Sequence, residues 1–498
     1  MNVNPITRLD YPDPDVIRVE DTYYMVSTTM HFMPGCEILQ SFDLVHWEHV
    51  TYVYETLDHT DAQQLKSGQN IYGQGMWAAS LRYHEGRFYI CFVANDTRKT
   101  YLYTSEKIDG PWKKQLIEGF YHDGSLLFDE DGRNYIVYGN DEIWITELNE
   151  DLTAPKKDGL HRLLVSDHKN PKLGYEGSHI QKINGYYYIF LIHSLRDRWM
   201  RTEACFYSDS LEGEFTGGDV LCDDRGYCGQ GVAQGGIVDT PDGKWYAMLF
   251  QDSGAVGRLP ILLPVTWKDH FPIFGQNGHV PEEIEVHSTR PGYIYQPLVG
   301  SDDFCNGLLP RWQFNHDPDP RYYHLDALQG TYTITTREVC TELTQAVNTL
   351  TQRMSYPSCA AEVTVDASAL KEGDVAGLCA LQGCYAAVGI TKHHGKYEVL
   401  MLDKKEDGIL DMTEGTVVES HQMDFRLEAD FCNMKDEARC YYRVNKGDWL
   451  PIGTVHKLYF KLDHFTGCRF GLFCYAAEET GGSACFRDFK YYDVDEIS

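Results

Sequence analysis

The sequence predicts an all-β chain, a five-bladed β-propeller followed by a β-sandwich. Three observations carry that expectation over 498 residues. One phrase recurs five times, turn dipeptides sit inside it, and helical periodicity is scarce throughout.

The phrase is a β-rich run, a turn holding Gly or Asp, and an aromatic-rich β-run. It starts at Asp15 (DVIRVEDTYYM), Ser80 (SLRYHEGRFYI), Ser125 (SLLFDEDGRNYI), Ser178 (SHIQKINGYYYI) and Gly236 (GIVDTPDGKWYA). Glu85-Gly86, Asp131-Gly132, Asn184-Gly185 and Asp242-Gly243 are hairpin dipeptides between alternating runs. Start-to-start spacings of 65, 45, 53 and 58 residues leave room for about four strands per unit. An ordinary sandwich with coincidental hairpins is the competing fold. Register favours the propeller. Two residues before the repeat starts stand Asp13, Ala78, Asp123, Glu176 and Gln234. Three are carboxylates, although Asp and Glu are poor strand formers. In equivalent blades these positions converge at one mouth of the central channel.

Converging carboxylates have two uses. Glycosidic hydrolysis needs an acid for the leaving oxygen and an opposed carboxylate, acting as base or nucleophile. A third carboxylate can hold the acid's pKa up by like-charge repulsion. The other use is a hard cation site. Asp13 lies between Pro12 and Pro14. The following proline pushes it toward extended geometry, a stiff mount for a base. Gly177 after Glu176 would let a substrate approach the backbone.

From about Glu283 to Gly300 the pattern turns loop-like, which places a boundary near residue 300: 1–298 for the propeller, 299–498 for the sandwich. Alternating runs at Gly330–Thr335, Ala361–Val365 and Tyr397–Met401 predict sandwich strands.

Composition narrows the function. The chain carries 44 basic and 74 acidic residues, a net charge of −30, which disfavours nucleic-acid and membrane-surface partners. With 43% hydrophobic and 24% charged residues it can bury a large core. Aromatics at 13% suit a substrate with faces to stack on. Met1 to Pro5 shows neither basic nor apolar signal regions, no apolar run approaches membrane-helix length, and the 15 cysteines form no Cys-x-x-Cys. Reduced thiols and a cytoplasmic location are expected.

The motifs also carry a resemblance. Tyr11-Pro-Asp-Pro-Asp-Val-Ile-Arg-Val19 resembles the opening of glycoside hydrolase family 43, the β-xylosidase and α-L-arabinofuranosidase family. Agreement continues through Phe32-Met-Pro-Gly-Cys36, Ser41–Trp47, Met76-Trp-Ala-Ala-Ser80, Asp123-Gly-Ser-Leu126, Glu176-Gly-Ser-His179, Gly257-Arg-Leu-Pro260 and Pro264–Trp267. The resemblance implies an inverting mechanism with Asp13 as general base, Glu176 as general acid and Asp123 as pKa modulator. It implies Arg258 as a substrate-binding arginine, and Phe32 and Trp77 as aromatic walls of a sugar pocket. Where many relatives carry an axial His, sometimes beside Ca²⁺, this chain has Gln234. Gln234 therefore counts as a candidate substrate contact, no cofactor is required, and a family-type Ca²⁺ site is in doubt.

Ser301–Phe304, Trp312–His316, Asn348–Arg353, Gly373–Gly377 and Phe465-Thr-Gly467 resemble the concanavalin-like second domain of larger family members. There a loop closes the pocket, which implies Phe465 as a further wall. The expected activity is exo-acting release of terminal β-D-xylose or α-L-arabinofuranose from hemicellulose-derived oligosaccharides. The oligosaccharide is the expected partner, with room for self-association into a homo-oligomer. A sugar-binding propeller without catalysis, and a retaining enzyme using Asp13 as nucleophile, are the alternatives.

Overall fold

The computed structural model describes residues 3–413 and 415–493. Among them, five four-stranded antiparallel sheets follow one another along the chain. Their innermost strands are Asp15–Val19, Met76–His84, Ser125–Phe128, Glu176–Ile183 and Val232–Asp239. These five strands neighbour one another around a central channel, a five-bladed propeller. Each repeated phrase forms the two inner strands of its blade. The Glu85-Gly86 and Asn184-Gly185 turns have positive φ at both residues (47° and 78°, 52° and 84°), the backbone that matches strand twist in a two-residue hairpin.

Side chains stitch each blade to the next. Asp15 Oδ2 accepts from Leu81 N–H (2.7 Å), Ser80 Oγ from Leu126 N–H (3.1 Å) and Ser125 Oγ from Ile180 N–H (3.0 Å). Arg82 fills the channel, donating to Asp15 Oδ2 (2.8 Å), Leu126 O (2.8 Å) and Ile180 O (3.1 Å). Burial pushes the Asp15 carboxyl up, but Arg82 and His179 outweigh it and hold it below its ordinary value. Beyond Arg82 the channel opens into a cavity of about 480 Å³, lined by Arg18, Tyr83, Phe128, Gln181 and Trp245. The ring closes where Asn4 pairs through its amide with both backbone groups of Leu262 in the fifth blade (2.7 and 2.8 Å).

The last propeller strand ends at Phe274 and the first sandwich strand begins at Gln313. Two antiparallel sheets then face each other across a core that includes Tyr332, Val363, Phe425, Leu472 and Phe486. Full burial of each such side chain contributes roughly 1.5–3 kcal/mol. The predicted runs fall in strands Thr331–Thr335, Ser358–Asp366 and Lys396–Lys404.

The two units are welded together. Phe32 and Met33, from the first blade, pair with Asn315 and Phe314 and so extend a sandwich sheet. Buried Arg353 donates to Asp10 O (2.9 Å), Glu37 Oε2 (2.8 Å) and Tyr11 Oη (3.1 Å). Burial pushes Glu37 up, but Arg353 and His49 hold it down at about 2. Asp10 accepts from the backbone of Arg258 through one oxygen and of Gly467 through the other, both at 2.8 Å. A propeller residue thereby fixes the sandwich loop that carries Phe465.

Candidate active site

The carboxylates lie where the innermost strands begin, at the mouth opposite the 480 Å³ cavity. Asp13 is buried, at 6% exposure. Its Oδ1 accepts from Arg258 Nη1 (2.8 Å) and its Oδ2 from Thr28 Oγ1 (2.5 Å). The expected extended backbone at Asp13 is corrected: φ is 53°, left-handed. Aspartate tolerates that region better than most residues. Ser27 Oγ and Thr28 N–H, both bonded to Pro12 O, anchor the turn.

Asp123 (φ 46°) and Gln234 (φ 59°) share this left-handed backbone. In the fourth blade the residue that shares it is Gly177 (φ 66°), and His179, not Ser178, pairs across the blade as Gly236 does in the fifth. Glu176 therefore stands one position earlier than the repeat register predicts. The register shifts by one residue at Gly177-Ser178, as it also does at Trp77-Ala78 and Gln234-Gly235, and Glu176 is the residue paired just before that shift. A Cβ on Gly177 would meet Gln234 Cγ at 2.7 Å, so only glycine fits.

His122 links the acidic groups. Its Nε2 lies 3.4 Å from Glu176 Oε2 and 3.5 Å from Asp123 Oδ2. Asn140 Nδ2 donates to the same Glu176 oxygen (2.9 Å), and Gly177 N–H donates to Asp123 Oδ2 (3.0 Å). Burial pushes Asp123 up, and although His122 opposes this, Glu176 and Asp13 add to it, leaving it at about 6. This mutual influence places all three carboxylates in one electrostatic site. Burial also pulls His122 down, but Asp123, Glu176 and Asp13 overcome it and raise it to about 9.

Aromatic rings close the circuit. The Arg258 guanidinium carbon lies 4.3 Å over the Phe465 ring, Phe465 lies 5.7 Å from Trp77, and Trp77 lies 5.7 Å from His122. Phe465 comes from the sandwich, so the second domain supplies part of the wall. Arg258 Nε and Nη2 and Trp77 Nε1 are buried without a protein partner, donors suited to sugar hydroxyls. On the far side of Arg258, Phe250 lies 5.3 Å from it and 5.3 Å from Arg201, whose Nε pairs with Asp252 (2.6 Å).

Two predicted contacts sit differently from expectation. Phe32 has no exposed surface; its ring lies 3.4 Å under the Arg469 guanidinium and backs the wall instead of facing the pocket. Gln234 is also buried, packed over Gly177, with its N–H held by Glu203 Oε2 (2.7 Å). Burial holds the Glu203 carboxyl well above its ordinary value. Sequence reasoning passed over His122, Asn140, Thr28 and Arg201. Only His122, adjacent to Asp123, carried a local signal.

Among the described residues, His122, Asp123 and Glu176 form the one group whose ligand atoms lie close enough to hold a cation, all within 4.8 Å. One nitrogen and two carboxylates fall well short of the roughly 6–8 oxygens that Ca²⁺ takes.

A propeller that gathers two differently held carboxylates and a modulating third at a ring-walled mouth defines a glycoside hydrolase. The chain belongs to Glycosyl hydrolases family 43, whose profile matches residues 3–272, and residues 301–492 match the Beta xylosidase C-terminal Concanavalin A-like domain. A Beta-xylosidase of Formosa agariphila is 27% identical, over 99% of this chain and 89% of the relative. A Xylosidase/arabinosidase of Butyrivibrio fibrisolvens is 23% identical over 99% of both chains. Among solved structures, a bifunctional GH43-CE protein from Bacteroides eggerthii superposes with a TM-score of 0.92 at 42% identity. That match covers 98% of this chain and 63% of the other, so this chain spans under two thirds of that protein's length.

The tight seat of Gly177 has a measurable consequence. Gly177→Ala should cost about 1–3 kcal/mol of stability through its left-handed backbone and its clash with Gln234. It should also lower kcat/KM by about 10²-fold by shifting Glu176 on the order of 1 Å. Steady-state kinetics beside a thermal melt would check this; unchanged kinetics would refute the packing argument.

Proposed function

We propose that this chain is an exo-acting, inverting glycosidase that releases terminal β-D-xylose or α-L-arabinofuranose from hemicellulose-derived oligosaccharides. The single observation that carries the reading is the unequal mounting of Asp13 and Glu176. Asp13 is gripped by a buried arginine and a threonine, which fix both of its oxygens in place as a positioned base requires. Glu176 stands beside Asp123, a buried carboxyl raised to about 6, in a cluster able to keep a proton near neutrality.

In the proposed reaction Asp13 takes a proton from the attacking water while Glu176 protonates the departing glycosidic oxygen. Arg258 orients Asp13 and offers its free donors to the sugar. The wall contributed by Phe465 favours a blind pocket for one terminal residue over an open cleft. The names of the relatives, Beta-xylosidase and Xylosidase/arabinosidase, support pentoses as the sugar class.

The test is hydrolysis of nitrophenyl β-D-xyloside and α-L-arabinofuranoside side by side, with proton NMR of the first-formed anomer. Release of either pentose with inverted configuration is expected. A retained anomer would assign Asp13 as nucleophile, and no turnover on either glycoside would overturn the reading.

A further inference from the structure

We propose that Trp199 and Arg201 form the subsite for the leaving sugar, a neutral pyranose that stacks on the indole and takes hydrogen bonds from the guanidinium. This rests on the assignment of Glu176 as the acid.

A group that protonates the departing oxygen must lie against the sugar that departs. That sugar therefore sits beside the blade that carries Glu176. Glu176 pairs with Ile192, and the strand Tyr186–Ser194 runs past it at the mouth before turning back as Arg201–Ser208. The hairpin tip between the two strands, Leu195 to Met200, thus rises beside the acid. A bond from Leu195 N–H to Met200 O (3.0 Å) closes it. Arg196 braces it, pairing with Asp167 and donating to Lys169 O (3.2 Å). Side chains at this tip have a fixed mount, as a binding site needs.

Two side chains there suit a sugar. Of the nine tryptophans only Trp199 is exposed, at 46%, which leaves ring surface for stacking. Arg201 is buried, at 8% exposure, yet among the described residues its side chain hydrogen-bonds only to Asp252, through Nε. Its Nη1 and Nη2 groups remain as donors for hydroxyls. Burial pulls the Arg201 pKa down, but Asp252, Glu176 and Asp13 outweigh it, so the cation lies in the field of both reacting carboxylates.

Rings and guanidinium groups alternate from the pocket outward. Phe465 lies 4.3 Å from Arg258, and Phe250 lies 5.3 Å from both Arg258 and Arg201. Trp199 lies 5.3 Å from Arg201 and ends the row. Arg258 and Phe465 serve the sugar released beside Asp13. One step outward, Arg201 and Trp199 serve the next sugar, whose flat face meets the indole and whose edge carries the hydroxyls. A neutral sugar fits better than an acidic one. Arg196, Arg198 and Arg201 each already face a carboxylate, of Asp167, Asp197 and Asp252.

The test uses two substrates of the same pentose, xylose or arabinofuranose. One is a disaccharide with xylopyranose as leaving sugar. The other is the glycosyl fluoride, whose leaving atom cannot reach the tip. In Trp199→Ala the ratio of kcat/KM on the disaccharide to that on the fluoride should fall about ten-fold, and in Trp199→Phe about three-fold or less. Arg201→Lys keeps a charge for Asp252 but loses the planar fork, and should lower the ratio by about ten-fold. An unchanged ratio in Trp199→Ala, whether both rates hold or both fall together, overturns the subsite. If the wild type cleaves neither substrate, the glycosidase reading fails and the subsite with it, a result that the wild-type rates alone distinguish.

Discussion

Asp13→Asn should lower kcat on aryl pentosides by about 10²–10⁴-fold, the range spanned by loss of a positioned base. The fold should survive. Asparagine keeps the size of aspartate and an oxygen for the Arg258 Nη1 bond now made at 2.8 Å. What it loses is the ability to take a proton from water. KM should change little, because Arg258 and the aromatic walls remain, and this split separates a lost base from a damaged pocket. Asp13→Ala is the worse experiment, since it strips the buried guanidinium of its carboxylate partner and mixes instability with lost chemistry. A purified Asp13→Asn variant with turnover near wild type and an unchanged melt would remove Asp13 from the mechanism.

Glu176→Gln should show the second large effect, and its size should depend on the substrate. On oligosaccharides, whose leaving alcohol must be protonated, a fall of about 10³–10⁴-fold is expected. On dinitrophenyl pentosides the fall should shrink, since the phenolate leaves unassisted. The amide can still accept from Asn140, so the local hydrogen bond at 2.9 Å survives. A plot of log kcat/KM against leaving-group pKa should be steep for the variant and shallow for the wild type. Equal slopes would show that Glu176 does not protonate the leaving group.

Much of this site was legible in the chain itself. Asp13 and Asp123 stand two residues before their repeats, and the structure gives both the same left-handed backbone. Glu176 was found through an imperfect register: the repeat places it at the shared position, while the fold gives that position to Gly177, the residue after it. The start of that strand, Gly177 to Ile180, is buried without alternation, so a one-residue slip there was invisible. Phe32 was read as a wall and lies behind it, because a sequence does not show which ring an arginine from another domain will cover. Arg201 and Asn140 lie outside the repeated phrases and gave no signal.

The division between sequence and fold has a physical basis. Alternation, turn dipeptides and repeat spacing are local properties that dictate strands and hairpins, so the sequence by itself determined the five blades, the sandwich and the end of the channel where acids gather. Contacts between residues hundreds of positions apart depend on how those units pack. Only the tertiary structure decided that Asp10 would tie Arg258 to Gly467, that Phe465 would lie over Arg258, and that one imidazole nitrogen would face two carboxylates. Those placements set the charge state of the site, because Coulomb and desolvation energies follow distance and burial, neither of which is written along the chain.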